Sequence, residues 1–157
     1  MARMEETMKL LVTMAAIGVM GVGAADAQQK AAGAAPAPAT TMTIVGTVVD
    51  AACYMMHPAA AVGDSHDECG SACIARGVPV AIANEADKKL YFLAGDATRV
   101  GAMLHQRVRA TGTVTEKREP MELKMPVGEH NEMVVRVNGG YSVIAIEKVG
   151  PAPARRQ

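Results

Sequence analysis

All three cysteines of the chain and two of its four histidines lie in one stretch, CYMMHPAAAVGDSHDECGSAC, residues 53–73. His66, Cys69 and Cys73 are spaced i, i+3 and i+7, offsets that place all three on one face of a helix, one turn above another. Cys53 precedes them by a short loop and can meet that face. Three sulfurs and one imidazole make a tetrahedral Cys3His set, a common structural zinc arrangement, so Cys53, His66, Cys69 and Cys73 are the candidate metal ligands. Copper(I) also favours soft sulfur. Met55, Met56 and His57 directly follow Cys53-Tyr54 and are secondary candidates, and Met121, Met125, His130 and Met133 populate a later segment. Against a ligand role, methionine commonly fills gaps in cores, and adjacent methionines in an extended segment point to opposite sides. His57 and His105 taken singly read as surface or packing residues, and His130, in VGEHNE, as a solvated loop residue.

Two other readings of the same thiols stay open. In an oxidising compartment cysteines pair. Cys53 bonded to Cys69 or Cys73 would close a loop of roughly 16 to 20 residues, worth about 3 kcal/mol in the chain-entropy picture, and would leave one thiol over. That spare thiol is reactive if it is Cys69, in the first turn of the helix, where the dipole favours thiolate. Alternatively Cys69, Ala72, Cys73 and Arg76 are simply the stripe by which the helix packs on its neighbours. The odd cysteine count favours a metal, and the compartment favours a disulfide with a partner recognised elsewhere on the surface. The spacing is Cys-x3-Cys, so neither a thioredoxin-type motif nor a covalent haem motif is present.

Catalysis finds no support. There is no Gly-rich phosphate loop, no Gly-x-Ser-x-Gly and no His-Glu-x-x-His. Glu68 and Asp67 adjoin the cluster, but four protein ligands leave no open position for a substrate. The 16 basic and 16 acidic residues balance without a basic stripe, and the aromatics are only Tyr54, Tyr91, Phe92 and Tyr141. Nucleic-acid binding is therefore not expected.

The elements that must position these residues begin after residue 41. Residues 10–23, LLVTMAAIGVMGVG, form an uncharged apolar run behind Lys9, and Ala25-Asp26-Ala27 follows as a small-x-small site. This is the layout of a secretory signal peptide over 1–27, too short to serve as a membrane span in the mature chain, and it predicts a periplasmic or secreted protein. Glu5 and Glu6 are out of place in such a leader. Residues 28–41 are an Ala/Pro-rich linker, 42–149 one small domain, and 150–157 a disordered tail.

Within the domain, 42–50 reads as a strand with Gly46 at a bulge or bend. Residues 51–64 read as loop. Ser65 and Glu68 form a capping box for a helix over 66–76, stopped by Gly77 and Pro79. Strands follow at 78–84 and 89–94, then a short helix over 97–104 capped by Asp96, and a strand at 106–116. MVVRV and YSVIAIEKV flank Asn138-Gly139-Gly140, a hairpin signal. The tripeptide Gly-Thr-Val recurs at 46–48 and 112–114, each time inside a strand. The order predicts a mainly β domain: a small OB-like five-stranded barrel with a Cys-bearing helix after strand 1 and a second short helix before strand 4.

GTVVDAAC (46–53), HDECGSACIARGVPV (66–80), KLYFLAGD (89–96) and VRATGTV (108–114) also resemble a group of small secreted bacterial proteins labelled as domains of unknown function. The likeness covers about 42–116 and the terminal strand near 142–149. It implies an OB-related barrel with a cysteine ahead of a His-x2-Cys-x3-Cys helix, and it brings no established activity. The segment 117–141 is longer than the simple turn of that group.

Overall fold

The computed structural model of the protein describes residues 38–95 and 97–154. The leader expected over 1–27, most of the 28–41 linker and the proposed cap Asp96 lie outside the described residues. Among those residues no helix is long and apolar enough to cross a membrane.

Seven strands and three short helices follow one another: β1 (Thr40–Asp50), α1 (Ala51–Met56), α2 (Asp67–Ala75), β2 (Val80–Asn84), β3 (Leu90–Leu93), α3 (Thr98–Gly101), β4 (Arg107–Lys117), β5 (Met121–Val127), β6 (Asn131–Val137) and β7 (Tyr141–Pro151). Five strands close into a barrel in the order β1-β2-β3-β7-β4. Only the β3–β7 pair is parallel. This is the small OB-like barrel expected, with two short helices, α1 and α2, between strands 1 and 2 and another, α3, before strand 4. β7 continues through Pro151, and the Ala152 N–H bonds the Arg107 carbonyl at 2.9 Å.

Period-two alternation sorts the strand residues into two cores. Ile44, Val48, Val80, Ile82, Tyr91, Val108, Ala110, Val114 and Ile144 come from all five barrel strands and fill the interior, with Val100 of α3 among them. Their sequence neighbours Val49, Ala81, Ala83 and Phe92 face outward, under a second layer made by α1, α2 and Leu123 of β5. The repeated glycines mark close backbone approaches. A Cβ on Gly46 would stand 2.2 Å from the Ala83 carbonyl oxygen, and one on Gly112 would stand 2.2 Å from that of Ala145. Gly112 also sits where the β4–β7 register shifts.

Three local expectations are corrected. The first turn after β1 is helix, not loop, because Asp50 caps it: its Oδ1 accepts from the Cys53 N–H at 2.8 Å, and Ala51, Ala52 and Cys53 are buried beneath it. The Ser65–Glu68 capping box does not form. A 3-10 turn over Asp64–His66 carries the chain into α2, so His66 takes the cap position without a side-chain bond. Asp67 and Glu68 still place negative charge in the first turn, where the helix dipole favours it. The hairpin across Asn138-Gly139-Gly140 is also absent. β6 pairs with β5 through the turn at Gly128, whereas both edges of β7 are taken by β3 and β4 to close the barrel. The C-terminus of α2 does follow the sequence. Val78 N–H bonds the Cys73 carbonyl and Gly77 N–H that of Ile74, both at 3.0 Å, around Gly77 at φ +94°.

Candidate metal centre

Each cysteine reaches the site through a different constraint. Cys53 is fixed by the Asp50 cap at the start of α1, against the end of β1. Cys69 and Cys73 are one turn apart on α2 and so share a face. α2 comes close to the end of β1 because residue 70 is glycine. A Cβ there would lie 2.9 Å from Leu104 Cδ2 and 3.4 Å from Asp50 Oδ2. The Sγ atoms of Cys53, Cys69 and Cys73 all fall within 4.8 Å of one another. All three are free thiols, with Cys53 and Cys73 buried and Cys69 exposed. The cluster can hold a metal ion.

His66 joins the neighbourhood differently from expectation. With Asp50 and Cys53 it forms a second grouping, again with donor atoms within 4.8 Å of one another, and Cys53 belongs to both. His66 Nε2 is 3.5 Å from Asp50 Oδ2. His57 is exposed and belongs to neither grouping; its backbone N–H ends α1 on the Cys53 carbonyl at 2.7 Å. Met55 packs against the outer core beside Cys53, together with Met121 and Met125. Met125 comes closest: Cys53 S–H donates to its Sδ at 3.7 Å.

The electrostatics suit a cation. Burial pushes the Cys53 thiol well above its ordinary value, and the hydrogen bond and charge of Asp50 and the other two thiols push the same way. Burial, then Cys69 and Asp50, raise the Cys73 thiol as well. Groups of one sign crowded into a dry site resist ionisation until a positive charge replaces their protons.

Two residues of this neighbourhood escape sequence reasoning. Asp50 is the buried acid that ends an apolar strand, and the one readable signal is an acid inside VVDAAC. His105 lies 38 positions beyond Asp67, yet its Nδ1 is hydrogen-bonded to Asp67 Oδ1 and its side chain is 4% exposed. It holds φ at +60°, unusual for a residue with a side chain. Comparison of the chain with protein-family models, curated proteins and solved structures returns no match.

Proposed function

We propose that the protein is a secreted or periplasmic metal-binding barrel whose three cysteines take up a thiophilic ion, zinc or copper(I). The observation that carries this reading is the meeting of all three thiols, from two helices, in one group with no disulfide among them. Inert packing would ask only for small residues, not for three sulfurs that all lie within 4.8 Å of one another. The exposed thiol of Cys69 gives such an ion a route in and out, whereas Cys53 and Cys73 hold it from the buried side. That arrangement favours handling of an ion over a sealed structural staple, in which His66 would close the fourth position. Met125 Sδ offers a soft donor beside Cys53, which supports copper(I) as the alternative to zinc.

Competition with chromophoric chelators for zinc and copper(I) tests the reading on reduced protein. Cys53→Ser, Cys69→Ser and Cys73→Ser should each weaken binding strongly, and His57→Ala should leave it unchanged. Equal affinity in all four variants would overturn it.

A further inference from the structure

Among the described residues, the buried side-chain nitrogen and oxygen atoms without a hydrogen-bond partner are three: Asp50 Oδ2, His66 Nε2 and His105 Nε2. Asp50 and His66 group with Cys53, and His105 Nε2 approaches Gly70, the residue after Cys69. His66 Nε2 is 3.5 Å from Asp50 Oδ2 without forming a hydrogen bond. A single point over Gly70, where a Cβ would sit, is 3.4 Å from Asp50 Oδ2 and 3.6 Å from His105 Nε2. The carboxylate of Asp67 accepts from His105 Nδ1, so in the neutral ring Nε2 carries a lone pair turned toward the interior. A carboxylate behind a histidine is the usual support of a metal-binding imidazole.

We infer that the chain carries a second metal position beside the thiol site, in which Asp50 Oδ2, His66 Nε2 and a shared Cys53 Sγ take a borderline divalent ion such as zinc, with His105 Nε2 as the adjoining donor. The inference rests on the thiol cluster being a metal site. Cys53 belongs to both groupings, so its sulfur would bridge the two positions. Oxygen, nitrogen and sulfur donors together suit zinc and are poorly matched to copper(I), which prefers sulfur throughout. Charge leads to the same result. Three thiolates and one carboxylate carry four negative charges, and an imidazole ligates a metal in its neutral form and adds none. One divalent ion would leave a double negative charge in a site whose Asp50 is fully buried, and two would neutralise it. The single-role alternative makes Asp50 only a helix cap. It explains Oδ1 and leaves Oδ2 and both histidine Nε2 atoms without a hydrogen-bond partner.

The test is zinc alone, bound to the reduced full-length chain from which metal has been stripped, with stoichiometry read by equilibrium dialysis and elemental analysis. Wild type should bind two zinc ions per chain, and Asp50→Asn and His66→Gln one each, with all three thiols still shielded from alkylation. Asn at 50 keeps the oxygen that caps α1, and His66 makes no side-chain cap bond, so both variants retain the elements around the site. Cys69→Ser should keep the second ion while losing the first. His105→Asn tests the position independently, since asparagine tolerates the left-handed backbone there; it should weaken the second zinc by at least about tenfold. One zinc in wild type, unchanged by Asp50→Asn, His66→Gln and His105→Asn, would overturn the second position and leave the thiol site standing. No zinc in wild type would overturn both.

Discussion

Asp50 provides the sharpest thermodynamic test, because its two oxygens do different things. Oδ1 accepts from the Cys53 N–H, and Oδ2 is buried without a hydrogen-bond partner, facing His66 Nε2 at 3.5 Å. In metal-free protein at pH 8, Asp50→Asn keeps the cap and replaces a buried anionic oxygen that has no hydrogen-bond partner with an amide group facing His66 Nε2. An unsatisfied buried polar group costs about 1–3 kcal/mol. The substitution should recover about 1 kcal/mol, a rise of about 3–6 °C in Tm for a domain of this size. Asp50→Ala should go the other way by about 1–2 kcal/mol, through loss of the cap. With zinc the order reverses, because the asparagine variant gains less from the ion than wild type does. Thermal unfolding followed by circular dichroism, with and without saturating zinc, reads all of these. If Asp50→Asn destabilises the metal-free protein as much as Asp50→Ala, Oδ2 is satisfied in solution and the reasoning about this pocket is wrong.

Further outcomes follow from other parts of the molecule. Gly46→Ala and Gly112→Ala each push a Cβ to 2.2 Å from a neighbouring carbonyl oxygen, so each should cost about 3 kcal/mol or more in urea unfolding; a loss under about 1 kcal/mol would contradict the close strand approach. Native alkylation followed by peptide mass spectrometry should label exposed Cys69 first, well before Cys53 and Cys73, whose thiols are buried and raised; early labelling of Cys53 would contradict the packing. Burial, together with its 2.7 Å hydrogen bond to Asp87, pushes Tyr91 up to about 12. Stability linked to this tyrosine is complete below about pH 10, the unfolded value, and is lost as pH rises through about 12. A tyrosinate absorbance titration should therefore show a late phase that Tyr91→Phe removes; an unchanged curve in that variant would contradict the assignment.

Much of the frame was legible because it rests on local rules. The β-branched run before Asp50 and the alternating residues of β4 announce barrel strands, and Gly77 with Pro79 announces the end of α2. The thiols were legible as a group because two of them share a helix and the third is close in sequence. What escaped was decided by tertiary competition. α1 is too short for a periodic signal, and its cap is the last residue of a strand. Gly128 and Gly139 both offer turns, and only closure of the barrel decides that β7 leaves β6 for β3 and β4. Asp50, His66 and His105 come together because Gly70 lets α2 approach the end of β1, a contact that no sequence spacing reports.

The most direct measurement takes protein recovered from its native compartment without chelator and applies elemental analysis and a denaturing thiol titration to the same sample. Cys53, Cys69 and Cys73 acting as ligands predicts bound zinc or copper together with three titratable thiols per chain. No metal and a single thiol would contradict it, and would make the cluster a disulfide with one cysteine to spare.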